Sequence, residues 1–374
     1  MAKEKKVVEA GKIDINSMKK FVNKKAGINI AHNITEDNPT EVIEWIPTGA
    51  RWLDSIVCRG KLAGIPVGKI TEIAGLSSAG KSYMAVQIAA NAQAMGHFVV
   101  YFDAESAIDP VFLEKSGIDP ANNFMYVQAI SVEKTLETIE GLMSEYPDAQ
   151  FLFIWDSIAA TSSEKDLEGD FNPQSSMAVK PRIFAKAFPK LTIPLANQQC
   201  TLLLINQLKT NITSNIAEAM TTPFIAPGGK AIEYFSSLRI WLTKRKARAS
   251  YVTDNTGLRI GTEVKAKVEK SRFGSEGRTC GFKIIWGNEV RIQDEESLME
   301  ALKLSGTARL KTGAWNTLID SKGKEHRFRK TEWAEKMKSD GDFRQAVYDI
   351  MDEEVIRKFD SEGKNFGIEE ESES

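Results

Sequence analysis

The segment Gly75-Leu76-Ser77-Ser78-Ala79-Gly80-Lys81-Ser82 has the spacing G-x4-G-K-[ST], which suits one chemistry in particular, the cradling of phosphates. Glycines let the backbone curl so that successive N–H groups point inward, and a helix beginning at the end of the loop adds positive potential. Lys81 then has the reach to meet the β and γ phosphates, and Ser82 offers a hydroxyl to Mg²⁺. The surroundings supply the context the motif requires: a strand-like run from Ile70 to Ile73 precedes it and a helical window from Lys81 to Ala94 follows. The residues expected to hold ATP with Mg²⁺ are Gly75, Ser77, Ser78, Ala79, Gly80, Lys81 and Ser82, with Tyr83 next in line.

Hydrolysis needs more than a cradle. The apolar run Phe151 to Trp155 leads into Asp156, a carboxylate expected beside Ser82 at the metal. Alone, such an Asp is as readily a helix cap, and its weight comes from lying downstream of the phosphate loop in the same sheet. A second run, Phe98 to Phe102, ends in Asp103-Ala104-Glu105, and Glu105 can act as the general base that polarises water. A third ends at Asn206-Gln207, where an amide can sense a γ-phosphate by hydrogen bonding. Ligands of open α/β sheets gather at the carboxyl ends of such strands.

The elements that must position these residues follow from hydrophobic patterning. Apolar runs of four to six residues (Ile70 to Ile73, His97 to Phe102, Phe124 to Val127, Phe151 to Trp155, Thr201 to Ile205) alternate with helical windows, which predicts an α/β fold with a mainly parallel sheet covered on both faces. Strand-like runs return at Leu238 to Leu242, Glu263 to Val268 and Gly281 to Trp286, after a polar segment from Lys209 to Pro227 that is too long for an ordinary connection. Pro189 is expected to interrupt any helix across that position. The predicted organisation is a basic N-terminal helix and linker (1–44), an ATPase core (45–293), a small helical C-terminal piece holding Trp315 and Trp333 (294–351), and an acidic tail (352–374).

Composition excludes several other chemistries. The chain has 374 residues, 42% of them apolar and 27% charged, enough to bury one large core. Three cysteines and three histidines stand too far apart for a zinc site, a disulfide framework or a Cys/His nucleophile. No apolar run is long enough to span a bilayer and no secretory segment follows the lysine-rich start, so a soluble, cytoplasmic protein is expected. Net charge is −2 but unevenly spread: residues 1–30 carry eight lysines against three acids, and residues 352–374 carry nine acids against three bases. Those ends read either as solvated tails or as interaction segments.

In order and spacing, Pro47-Thr48-Gly49, the phosphate loop, Asp103 to Pro110, Asp156-Ser157, Asn206-Gln207, Gly228-Gly229 and Val268-Glu269-Lys270-Ser271-Arg272 resemble the RecA-type strand-exchange recombinases. Val-Glu-Lys-Ser-Arg resembles their T4-like phage, UvsX-type branch. The likeness covers about residues 45–290. It implies a P-loop NTPase with a RecA-like core, and an ATPase that polymerises as a helical filament on single-stranded DNA, pairs it with homologous duplex and exchanges strands, in a host's cytoplasm if phage-encoded.

The resemblance also implies residue roles. Glu105 activates water, Gln207 reads the γ-phosphate, and Lys270 and Arg272 reach the neighbouring subunit's ATP. Asp109 and Phe112 embrace adenine, a Phe there stacking without a hydroxyl. Met177 and Ile212 wedge between bases, Arg182 and Lys209 meet the DNA backbone, and Gly228 and Gly229 close the second DNA loop. A further basic residue of the family pattern is replaced by Pro189, with Lys186 or Lys190 as substitutes, and Lys244-Arg245-Lys246 with Arg248 is a candidate surface for duplex. The implied partners are single-stranded and duplex DNA, further copies of the chain docked through the N-terminal helix with Phe21 as anchor, a single-strand-binding protein and a loading mediator. A ring-forming helicase of the same fold and a small-molecule P-loop kinase remain the alternatives.

Overall fold

A computed structural model describes residues 14–27, 30–34, 38, 40–106, 108–168, 179–211, 223–244, 250–286 and 290–356. The chain divides into two compact units, Met1–Ile43 and Glu44–Ser374.

In the first unit the helix Ile15–Ala26 starts on Asp14, whose carboxylate accepts the N–H groups of Asn16 and Ser17 at 3.2 and 3.0 Å, and ends on Gly27 in the left-handed conformation. Lys24 and Lys25 in its last turn complement the helix dipole. Its apolar side chains Ile15, Met18 and Phe21 are exposed.

The second unit is built on a ten-stranded sheet. Six strands run parallel in the order Leu238–Thr243, Ile70–Gly75, Thr201–Gln207, Phe151–Asp156, Phe98–Asp103 and Phe124–Gln128. Arg259–Ser271, Thr279–Ile285 and Arg291–Gln293 extend the sheet antiparallel beyond Leu238–Thr243, and Tyr251–Thr253 pairs with the start of Arg259–Ser271.

Alternate residues of the central strands serve opposite faces. Leu203, Ile205, Ile73 and Tyr101 pack towards the helix Lys81–Ala94, while Leu202, Leu204, Phe153 and Trp155 pack towards Val132–Glu145 and Val179–Gln198. Burial on both faces is why these strands read as unbroken apolar runs. The buried indole of Trp155 donates to Thr161 Oγ1 at 2.8 Å, so its polar edge is not stranded in the core.

The helix across Pro189 and the C-terminal piece both depart from expectation. Pro189 does not end its helix: Val179–Gln198 continues through both Pro189 and Pro194. Both prolines are exposed, as are Ala185 and Lys190 four residues earlier, so the carbonyls left without N–H partners face water and the cost of each proline is reduced. The C-terminal piece is mixed rather than helical, with a three-stranded antiparallel sheet (Leu310–Lys311, Asn316–Ile319, Glu325–Phe328) beside the helices Glu295–Ser305, Trp333–Ser339 and Gly341–Ile350. Its strands are two to four residues long, too short for periodicity to announce them. Phe328, Trp333 and Phe343 form its ring cluster, with centroids 5.2–5.3 Å apart. The acidic segment begins in ordered structure, since Asp352 pairs with Arg51 at 2.7 Å and Glu353 with Arg309 at 2.6 Å. Among the described residues no helix is long and apolar enough to cross a membrane.

Thr48 of the Pro47-Thr48-Gly49 segment has a structural task. Its hydroxyl and N–H both donate to Asp54, at 2.7 and 3.1 Å, and burial pushes the Asp54 carboxyl up to about 8. Asp294, which accepts the Trp52 N–H at 3.0 Å, is pushed up to about 6, also by burial. The folded chain therefore binds protons that the unfolded chain has already released, and stability falls as pH rises from about 4 towards 8. Urea unfolding of Asp54→Asn between pH 5 and 8.5 is expected to show a flatter decline than the parent, and an equally steep one would refute the assignment.

Candidate nucleotide-binding site

Strand register assembles the site. Gly75 lies opposite Gln207, and Asp103 opposite Asp156, so four strands deliver their last residues to one carboxyl edge. The loop leaving Gly75 turns into the helix Lys81–Ala94 through Gly80, which has φ +89°. A Cβ on Gly80 would meet only the terminal methyl of Ile284, Cδ1 at 2.2 Å, which can move aside, so it is the backbone angle that favours glycine. A cleft of about 530 Å³ opens there, lined by Ser77, Ser78, Lys81, Ser82, Glu105, Asp156 and Gln207 among others.

Lys81 is buried and its Nζ donates to the Leu76 carbonyl at 3.1 Å. Desolvation lowers its pKa, opposed by the nearby carboxylates of Asp156 and Glu105. Asp156 is raised above the ordinary carboxylate range, again chiefly by burial, while hydrogen bonds from Ser82 and Tyr101 hold it down; Tyr101 Oη donates at 2.7 Å. A buried carboxylate beside a hydroxyl and a lysine is a site short of positive charge. The donor set of Ser82 hydroxyl and Asp156 carboxylate is made of hard oxygens, which fits Mg²⁺ carried with water and phosphate ligands.

Glu105 joins two neighbouring strand ends. Its Oε1 accepts from Ser157 Oγ and from Gln207 Nε2, both at 3.1 Å. The carboxylate two residues earlier, Asp103, is engaged within its own loop. It is buried and accepts the N–H groups of Glu105 and Ile108 at 2.9 and 3.2 Å, bonds that hold the loop carrying Glu105.

Phe112 and Tyr83 border a side recess of the same cleft, their rings edge to face at 4.9 Å. Asp109 caps the short helix Pro110–Lys115 through Val111 N–H at 3.2 Å. Several residues lining the cleft were not read as part of it from the sequence, Trp286, Arg259 and Lys244 among them. Trp286 packs 5.9 Å from Tyr83, Arg259 stacks over Tyr251 and Trp286 at 3.9 and 5.2 Å, and Lys244, read as part of a duplex surface, lines the cleft instead. Residues 245–249 of that basic run lie outside the described residues. Trp286 and Arg259 arrive on the antiparallel extension, and Lys244 directly follows the parallel strand Leu238–Thr243, so a sequence signal for them requires knowing that these strands fold beside the phosphate loop.

Lys270 and Arg272 do not line this cleft. Lys270 Nζ donates to the carbonyls of Glu233 and Tyr234, and Arg272 to that of Tyr234 at 2.7 Å, at the carboxyl end of the helix Lys230–Phe235. The base of the long polar loop is a ladder in which Lys209 and Thr210 pair with Ile225 and Phe224. Gly228, with φ +106°, and Gly229 lead from it into that helix. Arg182, Lys186 and Lys209 are exposed, and Lys190 pairs with Glu140 at 2.5 Å. Met177 and Ile212 lie outside the described residues.

Fold and site together define a P-loop core of RecA-like topology. The RecA N-terminal domain family matches residues 13–291. The chain is similar to Protein RecA of Frankia alni, 33% identical over 281 residues, 75% of this chain and 76% of that protein. It is also similar to Protein RecA of Chlamydia felis, 32% identical over 270 residues, 72% of this chain and 73% of that protein. The chain belongs to the RecA family, whose members are DNA-dependent ATPases of recombination and repair.

Proposed function

We propose that this chain is a DNA-dependent ATPase that forms helical filaments on single-stranded DNA and catalyses homologous pairing and strand exchange, within the UvsX-type phage branch of its family. The observation that carries the reading is the hydrogen bond from Gln207 to Glu105. It joins the residue next to the attacking water to the residue from which the long polar loop departs.

Phosphates in the cleft would meet Lys81 and the N–H groups of the loop, while Ser82 and Asp156 would hold Mg²⁺, which supplies charge neutralisation on the transferred phosphoryl group. Glu105 takes the proton from water as the γ-phosphate is attacked. Gln207, drawn towards that phosphate, shifts the base of the loop that carries Lys209. Tyr83, Phe112 and Trp286 offer apolar faces for the base. Lys270 and Arg272, outside their own cleft, are supplied to a neighbour's and act there as an arginine finger does. Self-association through the exposed apolar stripe of Ile15–Ala26 is a heterologous contact, which builds open filaments rather than closed dimers. Arg182 and Lys209 give affinity independent of sequence, and Met177 and Ile212 act as apolar wedges. A single-strand-binding protein and a loading mediator are the expected helpers. The acidic tail, residues 352–374, competes with DNA for basic surfaces at low salt.

The test is ATP hydrolysis with and without single-stranded DNA, imaged in parallel. Stimulated hydrolysis and helical polymers are expected; hexameric rings that unwind duplex, or turnover indifferent to DNA, would point to the helicase or the kinase. Lys270→Ala should lose DNA-stimulated turnover yet recover part of it in mixed filaments with subunits that are Lys81→Ala but keep Lys270. No recovery would mean that Lys270 does not act across the interface.

A further inference from the structure

Glu72 lies on the phosphate-loop strand, fully buried, with no part in the cleft. Its Oε2 pairs with Arg239 Nε at 2.5 Å, and Arg239 is directly opposite it on the next strand. A buried carboxylate of this kind is tolerated because a guanidinium meets it, yet a well-packed apolar pair would serve stability as well. Its other oxygen indicates a different use. Glu72 Oε1 accepts from Asn206 Nδ2 at 2.7 Å, and the same Nδ2 donates to the Pro227 carbonyl at 2.8 Å.

Both N–H bonds of the Asn206 amide are thereby committed to acceptors that cannot donate, which fixes the way the amide faces. Its Oδ1 is left to accept the Gln207 N–H at 2.9 Å. Asn206 thus grips both ends of the long polar loop. Its own chain enters the loop at Gln207, and its side chain holds the exit at Pro227. Three residues beyond Pro227 begins the helix Lys230–Phe235, whose last carbonyls hold Lys270 and Arg272.

We propose that Glu72, held by Arg239, is a positioning residue that sets the Asn206 amide as a clasp across the loop's neck, so that a movement of Gln207 is passed to Pro227 and the helix behind it. This rests on the proposed reading of Gln207 as the γ-phosphate sensor. Without the clasp the ladder of Lys209 and Thr210 with Ile225 and Phe224 still joins the two ends of the loop, but a movement of Gln207 no longer reaches Pro227 and the helix through Asn206, and nucleotide governs the grip on DNA less.

The test exchanges donor and acceptor. In Glu72→Gln/Asn206→Asp the introduced amide at 72 donates to the introduced carboxylate at 206, and a negative charge remains near Arg239, but position 206 has no N–H for Pro227. The readout is the ratio of single-stranded oligonucleotide affinity with a non-hydrolysable ATP analogue to that with ADP, measured by fluorescence anisotropy beside a melting curve and a nucleotide-binding titration. The double variant is expected to melt close to the parent and bind nucleotide, while the ratio falls about tenfold or more, a loss within the usual range of coupling between sites. A folded, nucleotide-binding double variant that keeps the parent's ratio would overturn the clasp. Should the double variant melt early, hydrogen exchange on the unaltered chain decides: with analogue and Mg²⁺, the Gln207 amide and those of residues 230–235 gain protection together, and protection at Gln207 alone would overturn it. An unaltered chain that grips DNA equally with either nucleotide would instead overturn the underlying reading, and the clasp with it.

Discussion

Lys81→Ala is expected to remove ATP turnover, with a fall of roughly 10²–10³-fold or more, the scale seen when one preorganised charge-stabilising donor is lost from a site. The side chain is buried at the floor of the cleft, where water screens a charge poorly and a cation is correspondingly effective. Its lowered pKa stems first from burial, and arriving phosphates oppose that cost by restoring a counter-charge. Alanine is a good helix former at the first position of Lys81–Ala94, so the fold should survive. Steady-state hydrolysis with saturating single-stranded DNA, paired with a thermal melt, checks both halves. A folded variant that turns over at the parent rate would take the phosphate loop out of the reaction.

Glu105→Gln should produce the second largest effect, with hydrolysis slowed by about 10²–10⁴-fold while ATP and DNA still bind. The geometry makes this substitution unusually clean. Both hydrogen bonds into Glu105, from Ser157 and Gln207, arrive at the same oxygen, Oε1. An amide carbonyl can accept both, so position and sensing contact persist and only basicity is lost. Filaments of this variant should outlive those of the parent, as followed by single-turnover hydrolysis and by negative-stain images taken over time. Turnover at the parent rate would mean that another group activates the water.

The central sheet and the phosphate loop were legible in the sequence for a physical reason: strands buried on both faces must be apolar at every position, and a curled anion-binding turn must spell its glycines. Glu105, Asp156 and Gln207 were legible as the polar punctuation that ends such runs. Trp286 and Arg259 were not, because they reach the cleft by tertiary folding of the antiparallel extension and carry no local signature, and Lys244 stood out only as a member of a basic run. Pro189 misled for a related reason, since its cost depends on whether the orphaned carbonyl faces water, and that is set by which side of the helix packs. The role of Glu72 was hidden by its neighbours, a lone acid in a run that otherwise reads as core.

Registered parallel pairing places Gly75, Gln207, Asp156 and Asp103 at the ends of consecutive strands, and hydrogen-bonded strands stand about 4.8 Å apart. The sheet therefore works as a ruler whose graduations are rungs rather than side chains. Apolar residues between the marks can be exchanged freely provided volume is kept, whereas inserting one residue within a strand would slide a graduation and flip what it carries to the other face. That tolerance is how a chain only about one-third identical to its bacterial relatives can keep the distances between its reacting groups.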